Sequence, residues 1–583
     1  MITKANLYWD TIKRIPLRQN FFLVKEKILK KILPIKISSI EKIGNKLYSE
    51  EIWSRFLQNS DKLINRKDSK MFWDSGVLEN NFQYHYLSFV QNKLDEYKKA
   101  DNIEILEKLW KTKHDDIEFI YNIQRMYKFK EIMDVLNFTD YQKLNVINSW
   151  IDKHPPQKGA SWMGFNCSIR LINWIKVLTS LKNINTIKEE DVKKIFLSIL
   201  QNLEFITNNI EHHIPGNHVI FQYFSAWLTL FLIGDKKTEV YSKLFVNEFE
   251  DDFLESGLHF ELSTHYHLQV LQLGVYYSLI NQKKNKNELL GTIEKAYFII
   301  DAFSFSKNNL PLIGDNCYNF FHNNLVEDAE NLNYLKDNFD FTEKNKSETF
   351  EIDDQYIVVN KEKSKLILDI GNIGMKQNPG HGHSDILSVN YSFNGIPIFV
   401  DSGTKRYSNL PENLELKRAN SHNTISINNE DQSKLWGFFR WAFLPDKTIY
   451  SYKKVENSVI LEAGFRGFKN IGGAKHSRKI EISDSELVVS DNVEYNQLRT
   501  VEQNFILSEF VSIEEVLAKY YLNIDDYKFE FIVDSDKSYS LEVLPHKIYK
   551  SYDNPVDSNK IRIVYNTSSS TLETNIKLKL VNE

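Results

Sequence analysis

The chain is poor in the residues that staple, punctuate or anchor a fold. Only two cysteines, Cys167 and Cys317, occur in 583 residues. They lie far apart and without metal-ligand spacing, so neither a disulfide framework nor a cysteine-ligated metal supports the fold, and a reducing compartment is allowed. Twelve prolines and 21 glycines are too few for a collagen-like or low-complexity chain. The longest mainly apolar run, Tyr223 to Ile233, is too short to span a bilayer. The first 30 residues hold no apolar stretch followed by small residues, so no secretory signal is read and the cytoplasm is the expected location. The excess of acidic over basic side chains leaves a net charge of only −5, which gives no general drive toward nucleic acid.

What is present is a large soluble chain, 42% hydrophobic and 26% charged. Its length exceeds what one core organises, so at least two domains are expected. Aromatics reach 13%, with 29 tyrosines and 10 tryptophans; such rings build cores and also line sugar clefts. The segment Phe21 to Ile37 is locally basic through Lys25, Lys27, Lys30, Lys31 and Lys36. That pattern fits an amphipathic surface helix or a contact with an anionic surface.

Residues 1 to about 345 read as helical. Between Asp191 and His212 the apolar residues Ile195, Phe196, Ile199, Leu200, Leu203 and Ile206 recur at helical period. Similar stripes run through Tyr141–Ile151, Ile169–Leu181, Phe221–Leu232, Tyr266–Ile280 and Ile293–Phe305. Such a succession predicts paired helices in a bundle or toroid. The polar stretch Lys336 to Thr349 is the linker candidate. Beyond it the period falls to two, as in Tyr356–Val359, Lys365–Ile370, Leu387–Phe393, Ile396–Val400, Thr424–Ile427, Val459–Ala463, Lys479–Val489, Lys528–Val533 and Lys560–Val564. This predicts an antiparallel β-sandwich over 346–583, with a shared site in the crevice between the halves.

Chemistry-bearing residues concentrate between Gly380 and Thr424: His381-Gly382-His383-Ser384-Asp385, Asp401-Ser402-Gly403-Thr404 and Ser421-His422-Asn423-Thr424. Asn394-Gly395 between alternating runs signals a hairpin, pairing Phe393 with Ile396, Tyr391 with Ile398 and Val389 with Val400. Asp401 and His422 then project from polar faces. His383 can join them only if residues 383–387 bend back. Two imidazoles and a carboxylate suit zinc, at ~2.0–2.2 Å; the other reading is histidines that cap turns. Asp385 is the spare carboxylate, suited to an Asx turn.

The helical half carries two further clusters, Glu211-His212-His213-Ile214-Pro215-Gly216-Asn217-His218 and Glu261-Leu262-Ser263-Thr264-His265-Tyr266-His267. Pro215 and Gly216 place Asn217 and His218 at a helix entrance, where asparagine commonly caps. Arg170 and Trp174, four apart, share a helix face that suits a sugar cleft or ordinary packing.

In this order the clusters resemble the heparinase II/III-like polysaccharide lyases. The match is carried by Gly216-Asn217-His218, Ser263-Thr264-His265-Tyr266-His267, His381-Gly382-His383-Ser384-Asp385, Asp401-Ser402-Gly403-Thr404 and Ser421-His422-Asn423-Thr424. The resemblance implies an incomplete (α/α) toroid followed by an antiparallel β-sandwich. It also implies β-elimination on a uronate-containing glycan, so that the expected partner is an acidic polysaccharide or oligosaccharide. By resemblance Asn217 neutralises the uronate carboxylate, Tyr266 is general acid and can also serve as base, and His381 abstracts or relays the C5 proton. His218 is a second cleft histidine, and His383, Asp401 and His422 hold a structural zinc. Arg170, Trp174 and Glu261 are the substrate-binding candidates. The opening Leu7-Tyr8-Trp9-Asp10-Thr11-Ile12 is similar to relatives associated with surface-polysaccharide assembly, which adds capsule or exopolysaccharide metabolism as context and the periplasm or cell envelope as an alternative location. Two other functions stay open. A toroid glycoside hydrolase would need opposed carboxylates from among Glu211, Glu255, Glu261 and Asp315; a non-catalytic glycan-binding or assembly protein would keep the fold alone.

Overall fold

The computed structural model describes residues 4–16, 19, 21, 24, 48–64, 85–114, 116–156, 159–181, 189–281, 288–306, 309–316, 347–375, 378–497 and 499–582. The basic residues expected on an N-terminal helix, Cys317, and residues 336–346 of the expected linker lie outside these.

Long helices occupy the chain up to Phe303, and the first strand begins at Thr349. The periodic stripes become helices Asp140–Lys153, Gly164–Thr179, Glu189–Asn208, Asn217–Ile233, Thr264–Ile280 and Leu290–Phe303. Local chemistry sets several ends. Thr139 and Gln142 close a reciprocal capping box ahead of the first. Gly234, left-handed at φ 68°, stops Asn217–Ile233. Consecutive helices pack on one another in pairs, and their apolar stripes merge into one aromatic-rich core around Trp150, Trp174, Trp227 and Phe196. No helix among the described residues is long and apolar enough to cross a membrane.

The second half is built from antiparallel strands. A five-stranded sheet runs in sequence order from Thr349–Ile352 to Ile396–Phe399, and a four-stranded sheet contains Ile425–Ile427 and Thr500–Ile506. The Phe399–Leu507 bridge joins these two. An eight-stranded sheet forms the other layer, and a separate hairpin, Lys434–Gly437 with Arg440–Ala442, stands apart.

Two register details differ from the sequence expectation. Asn394 and Gly395 both take positive φ, 49° and 76°, as a tight primed turn requires. Phe393 pairs with Ile396, but Tyr391 then pairs with Phe399, leaving Ile398 as the extra residue of a bulge. Pro397 has no N–H to give to the ladder, and the strand bends there. The expected strand Lys479–Val489 is two strands, Ala474–Ile482 and Glu486–Glu494, turning at residues 483–485. The Ser483-Asp484-Ser485 break there is the turn signal that the expected single strand passed over.

The halves dock through a third apolar cluster, in which Leu258, Leu262, Phe303 and Ile313 meet Ile352, Tyr356, Val358 and Ile367. Truncating one such buried aliphatic to alanine costs about 2–5 kcal/mol. The hydrogen bond from Tyr552 to Asp116 across the same seam, at 2.6 Å, is worth about 1 kcal/mol. Apolar burial therefore drives the docking and the polar contact orients it. The N-terminal helix Lys4–Ile12 packs on the sandwich side, where Asp10 accepts from Phe443 N–H and Arg14 donates to Trp441 O.

Candidate active site

The Glu211–His218 cluster folds into a turn that opens the Asn217–Ile233 helix. Gly216 is the residue before it, at φ 87° and ψ −135°. A Cβ there would lie 2.2 Å from Glu261 Oε1, so only glycine lets Glu261 pass behind the helix start. Asn217 is consequently the first helical residue rather than the cap. Its backbone N–H donates to Glu261 Oε1 at 3.4 Å, and among the described residues no hydrogen bond ties its carboxamide. His218 stacks on Phe165 with ring centres 4.5 Å apart and meets Glu211 Oε2 at 2.9 Å through Nδ1. Burial would raise the Glu211 carboxyl, but His218 outweighs it and holds it below the usual value.

Ser263 caps the Thr264–Ile280 helix and donates to Asp315 O, aiming Tyr266 at the seam. The Tyr266 hydroxyl lies 2.9 Å from that of Tyr407, a sandwich residue, and its ring centre is 4.1 Å from that of His381. Burial, reinforced by the Asp315 charge, pushes the Tyr266 phenol well above its ordinary value. The neighbouring His267 is a satisfied core residue: His259 N–H donates to Nδ1 and Nε2 meets Ala296 O.

His381 ends a short 3-10 turn, Pro379–His381. The adjacent Gly382 is crowded against Gly374, whose N would lie 2.3 Å from an added Cβ, and this close approach sets the two flanking histidines on their courses. His381 Nδ1 is 2.9 Å from Asp315 Oδ2, and His383 Nε2 is 3.0 Å from Asp315 Oδ1. Lys417 Nζ sits 2.8 and 3.0 Å from the same two oxygens and donates to Gly380 O. Burial alone would raise Asp315, but the Lys417 ammonium and the two histidines hold it well below the carboxylate range. An ionised Asp315 accepts from both rings, which leaves the His381 Nε2 lone pair on the cleft side. Glu261 Oε2 is 4.0 Å from that nitrogen and has no hydrogen-bond partner; burial raises its carboxyl.

Behind His381 lie His383, Asp401 and His422, all buried, each offering a ligand atom within 4.8 Å of the others. The bend that this requires is present: Ser388 N–H donates to Asp385 O and Leu387 takes φ 62°. Asp385 thus supplies the turn through its backbone, while burial pushes its carboxyl up to about 7. His383 Nδ1 and His422 Nε2 are buried without a hydrogen-bond partner. Burial keeps His383 neutral, with its pKa lowered to about 4. Asp401 Oδ2 holds His422 Nδ1 at 2.8 Å. Two imidazoles with idle nitrogens and the Asp401 carboxylate would offer a zinc ion three donors of the type it takes. The residues fit the metal.

Two sequence candidates are elsewhere. Arg170 is fully buried, donating to Gln124 O, Ser161 O and Asn202 Oδ1 and stacked over Trp150 at 4.1 Å. Trp174 is 1% exposed and directs its indole N–H at Met126 Sδ. Both are core, because a helix face with an arginine and a tryptophan reads the same whether it faces a sugar or an aromatic interior. Glu261 does border the site. Asp315, noted in the sequence only among the carboxylates open to a hydrolase, proves central, and Tyr407 and Lys417 were not distinguished. Tyr407 follows Asp401-Ser402-Gly403-Thr404 by three positions, the one local hint available. Of the four carboxylates considered for a hydrolase, two are engaged, Asp315 by Lys417 and two histidines and Glu211 by His218.

Comparison with known proteins agrees with this arrangement. The domain family described as Heparinase II/III N-terminus matches residues 49–332, and Heparinase II/III-like, C-terminal matches 353–577. No curated protein sequence matches the chain. Among solved structures, heparinase III aligns over 86% of this chain and 93% of its own, at 15% identity and a TM-score of 0.64. Heparan sulfate lyase HepC from Pedobacter heparinus aligns over 95% and 92%, at 12% identity and a TM-score of 0.56. At these identities the likeness is one of fold, a helical toroid joined to a β-sandwich. With both domain families matched in order, the chain belongs to the heparinase II/III-like family of polysaccharide lyases.

Proposed function

We propose that the protein cleaves a uronate-containing acidic glycan by β-elimination, with Tyr266 as general acid and His381 as base. The observation that carries this reading is the approach of the Tyr266 and His381 rings to 4.1 Å at the seam, with Glu261 reaching from the Asn217 N–H to within 4.0 Å of His381 Nε2. β-Elimination takes the proton α to a carboxylate and expels the sugar at the 4-oxygen, so it needs a base and an acid on adjacent atoms and a quenched carboxylate.

The Asn217 carboxamide donates to the uronate carboxylate and withdraws its charge, which lets the carbanion-like state form. His381 Nε2 accepts the C5 proton; its ring is held in the required tautomer by Asp315 at Nδ1, and the resulting imidazolium faces that same carboxylate. Tyr266, kept protonated by burial, gives its hydroxyl proton to the departing 4-oxygen, and the Tyr407 hydroxyl at 2.9 Å donates to the phenolate left behind. His218, polarised by Glu211, lines the opposite side of the carboxylate. Each proton-transfer group contributes about 10²–10⁴-fold. A zinc ion held by His383, Asp401 and His422 would cross-link the wall that carries His381.

The test is incubation with a panel of uronate glycans while following the ultraviolet absorbance of the 4,5-unsaturated product. A product that has gained water and lacks the double bond, or no turnover on any glycan together with glycan binding unaffected by Tyr266→Phe, would overturn the lyase reading. A capsule or exopolysaccharide as the natural polymer rests on the resemblance of the N-terminal segment.

A further inference from the structure

The catalytic cluster opens into a second space that the β-elimination chemistry leaves unused. A groove of about 950 Å³ adjoins it, lined among others by Tyr407, Arg418, Lys434, Trp436, Phe439 and Arg440. Two of these belong to both places: Tyr407 hydrogen-bonds Tyr266, and the Phe439 ring centre is 5.7 Å from that of His381. The groove therefore begins where the scissile bond would lie and continues along the Lys434–Gly437 and Arg440–Ala442 hairpin.

Its charges are paired with one exception. Arg418 is neutralised by Asp431 at 2.9 Å and Glu415 at 3.4 Å, and Lys434 by Glu430 at 3.2 Å. Arg440 is exposed, and among the described residues no carboxylate lies within ion-pair distance of it. It is nevertheless positioned. Its guanidinium carbon lies 4.8 Å from the Trp436 ring centre and 5.9 Å from that of Tyr8, and Nη1 donates to the Tyr8 hydroxyl at 3.4 Å. Tyr8 in turn meets Trp436 edge-on, with ring centres 4.9 Å apart. Two aromatic rings thus hold the planar fork, which keeps donors to spare for a carboxylate or sulfate.

Resting on the lyase reading, we infer that this groove is a subsite for an anionic sugar residue of the substrate polymer, recognised through its carboxylate or sulfate ester by Arg440 on the Trp436–Tyr8 platform. Aromatic bodies beside a guanidinium offer a sugar both an apolar face and a charged edge. The hairpin is then the specificity element, separate from the Asn217 position that serves the reacting uronate.

The experiment compares wild type with Arg440→Gln and Arg440→Lys, reading equilibrium binding by tryptophan fluorescence and, in parallel, KM and kcat. The probes are an oligosaccharide of hyaluronan (carboxylate only), one of heparan sulfate (carboxylate and sulfate) and a neutral chitin oligosaccharide. Arg440→Gln should weaken binding of an acidic probe roughly ten- to a hundred-fold, as loss of a charge-assisted hydrogen bond does, raise KM and leave kcat within a few-fold. Arg440→Lys, which keeps charge without the fork, should fall between. Equal weakening of both acidic probes identifies the carboxylate as the ligand; weakening of heparan sulfate alone identifies the sulfate. Acidic probes that bind or turn over with unchanged constants in Arg440→Gln overturn the subsite while leaving the lyase reading standing. Arg440-dependent binding without turnover on any glycan supports the subsite and removes the lyase reading. Binding of none of the probes, or an equal effect on the neutral one, overturns the subsite.

Discussion

His381 Nδ1 lies 2.9 Å from Asp315 Oδ2, and the two residues come from opposite halves of the chain. The same carboxylate reaches His383, so one buried group orients the proposed base and a candidate metal ligand together. Asp315→Asn should lower kcat about 10²–10⁴-fold, as loss of an imidazole-orienting carboxylate does, with KM little changed. It should also loosen zinc, roughly 10–100-fold. Steady-state kinetics and metal titration check the two effects separately. Because the substitution leaves Lys417 buried without its anion, the double variant Asp315→Asn/Lys417→Met should recover stability without recovering activity.

Tyr266→Phe should reduce turnover about 10²–10⁴-fold while keeping the fold, since the ring stays and only the bond to Tyr407 is lost. Tyr407→Phe should reduce turnover less, because that hydroxyl assists the phenolate rather than supplying the proton. Equal losses in the two variants would contradict the assignment of Tyr266 as the acid. The product absorbance measures both.

Zinc should be retained through gel filtration and lost to a strong chelator, with a fall in thermal midpoint. His383→Ala and His422→Ala should each abolish retention, since both leave an incomplete donor set. Elemental analysis of the purified protein reads the outcome directly. A protein that never retains metal, and whose midpoint is unmoved by chelator, would remove the zinc assignment.

Arg170→Ala should lower stability and leave KM unchanged. The guanidinium satisfies Gln124 O, Ser161 O and Asn202 Oδ1 inside the toroid, and stranding buried acceptors costs about 1–3 kcal/mol each. Chemical denaturation and kinetics on the same preparation separate this core role from a sugar-binding one.

The eight-stranded sheet carries its own buried ion pair. Asp491 binds Arg478 through both oxygens, at 2.7 and 2.8 Å, and His476 at 2.8 Å. Burial would raise its carboxyl, but the Arg478 guanidinium and the bond from His476 hold it well below the ordinary range. A carboxyl depressed on folding contributes stability that is full above the unfolded value, about 4, and is lost as pH falls toward the folded one. Asp491→Asn should therefore destabilise by about 3–5 kcal/mol near neutrality, with the gap to wild type narrowing below about pH 4. Denaturation curves across that pH range test it.

Much of the architecture was legible in the sequence because it rests on periodicity. The stripes from Tyr141 to Phe305 mark helices nearly to their ends, and Asn394-Gly395 marks a hairpin. What failed was whatever the period does not encode. Pro397 introduces a bulge that alternation alone cannot register, and the turn at residues 483–485 is a short polar break, Ser483-Asp484-Ser485, between two apolar runs. Arg170 and Trp174 have the right types and spacing for a cleft but face the core. Asp315 escaped as an active-site residue because its role depends on partners 66 and 102 positions away, His381 and Lys417. The clusters Gly216-Asn217-His218 and His381-Gly382-His383 stood out through their family resemblance, since local chemistry alone read Asn217 as a helix cap and left the histidines open as turn caps.

The seam distributes the proposed site residues between two separately cored bodies. Asn217, His218, Glu261, Tyr266 and Asp315 stand on one side, and His381, Tyr407 and Lys417 on the other. Neither body owns a working set, so the protein behaves as a coincidence detector of its own assembly. A slip of one body against the other by a single hydrogen-bond length would part Tyr266 from Tyr407 and His381 from Asp315 at the same moment. Substitutions in the apolar seam, remote from any sugar, should then register as catalytic defects before they register as unfolding.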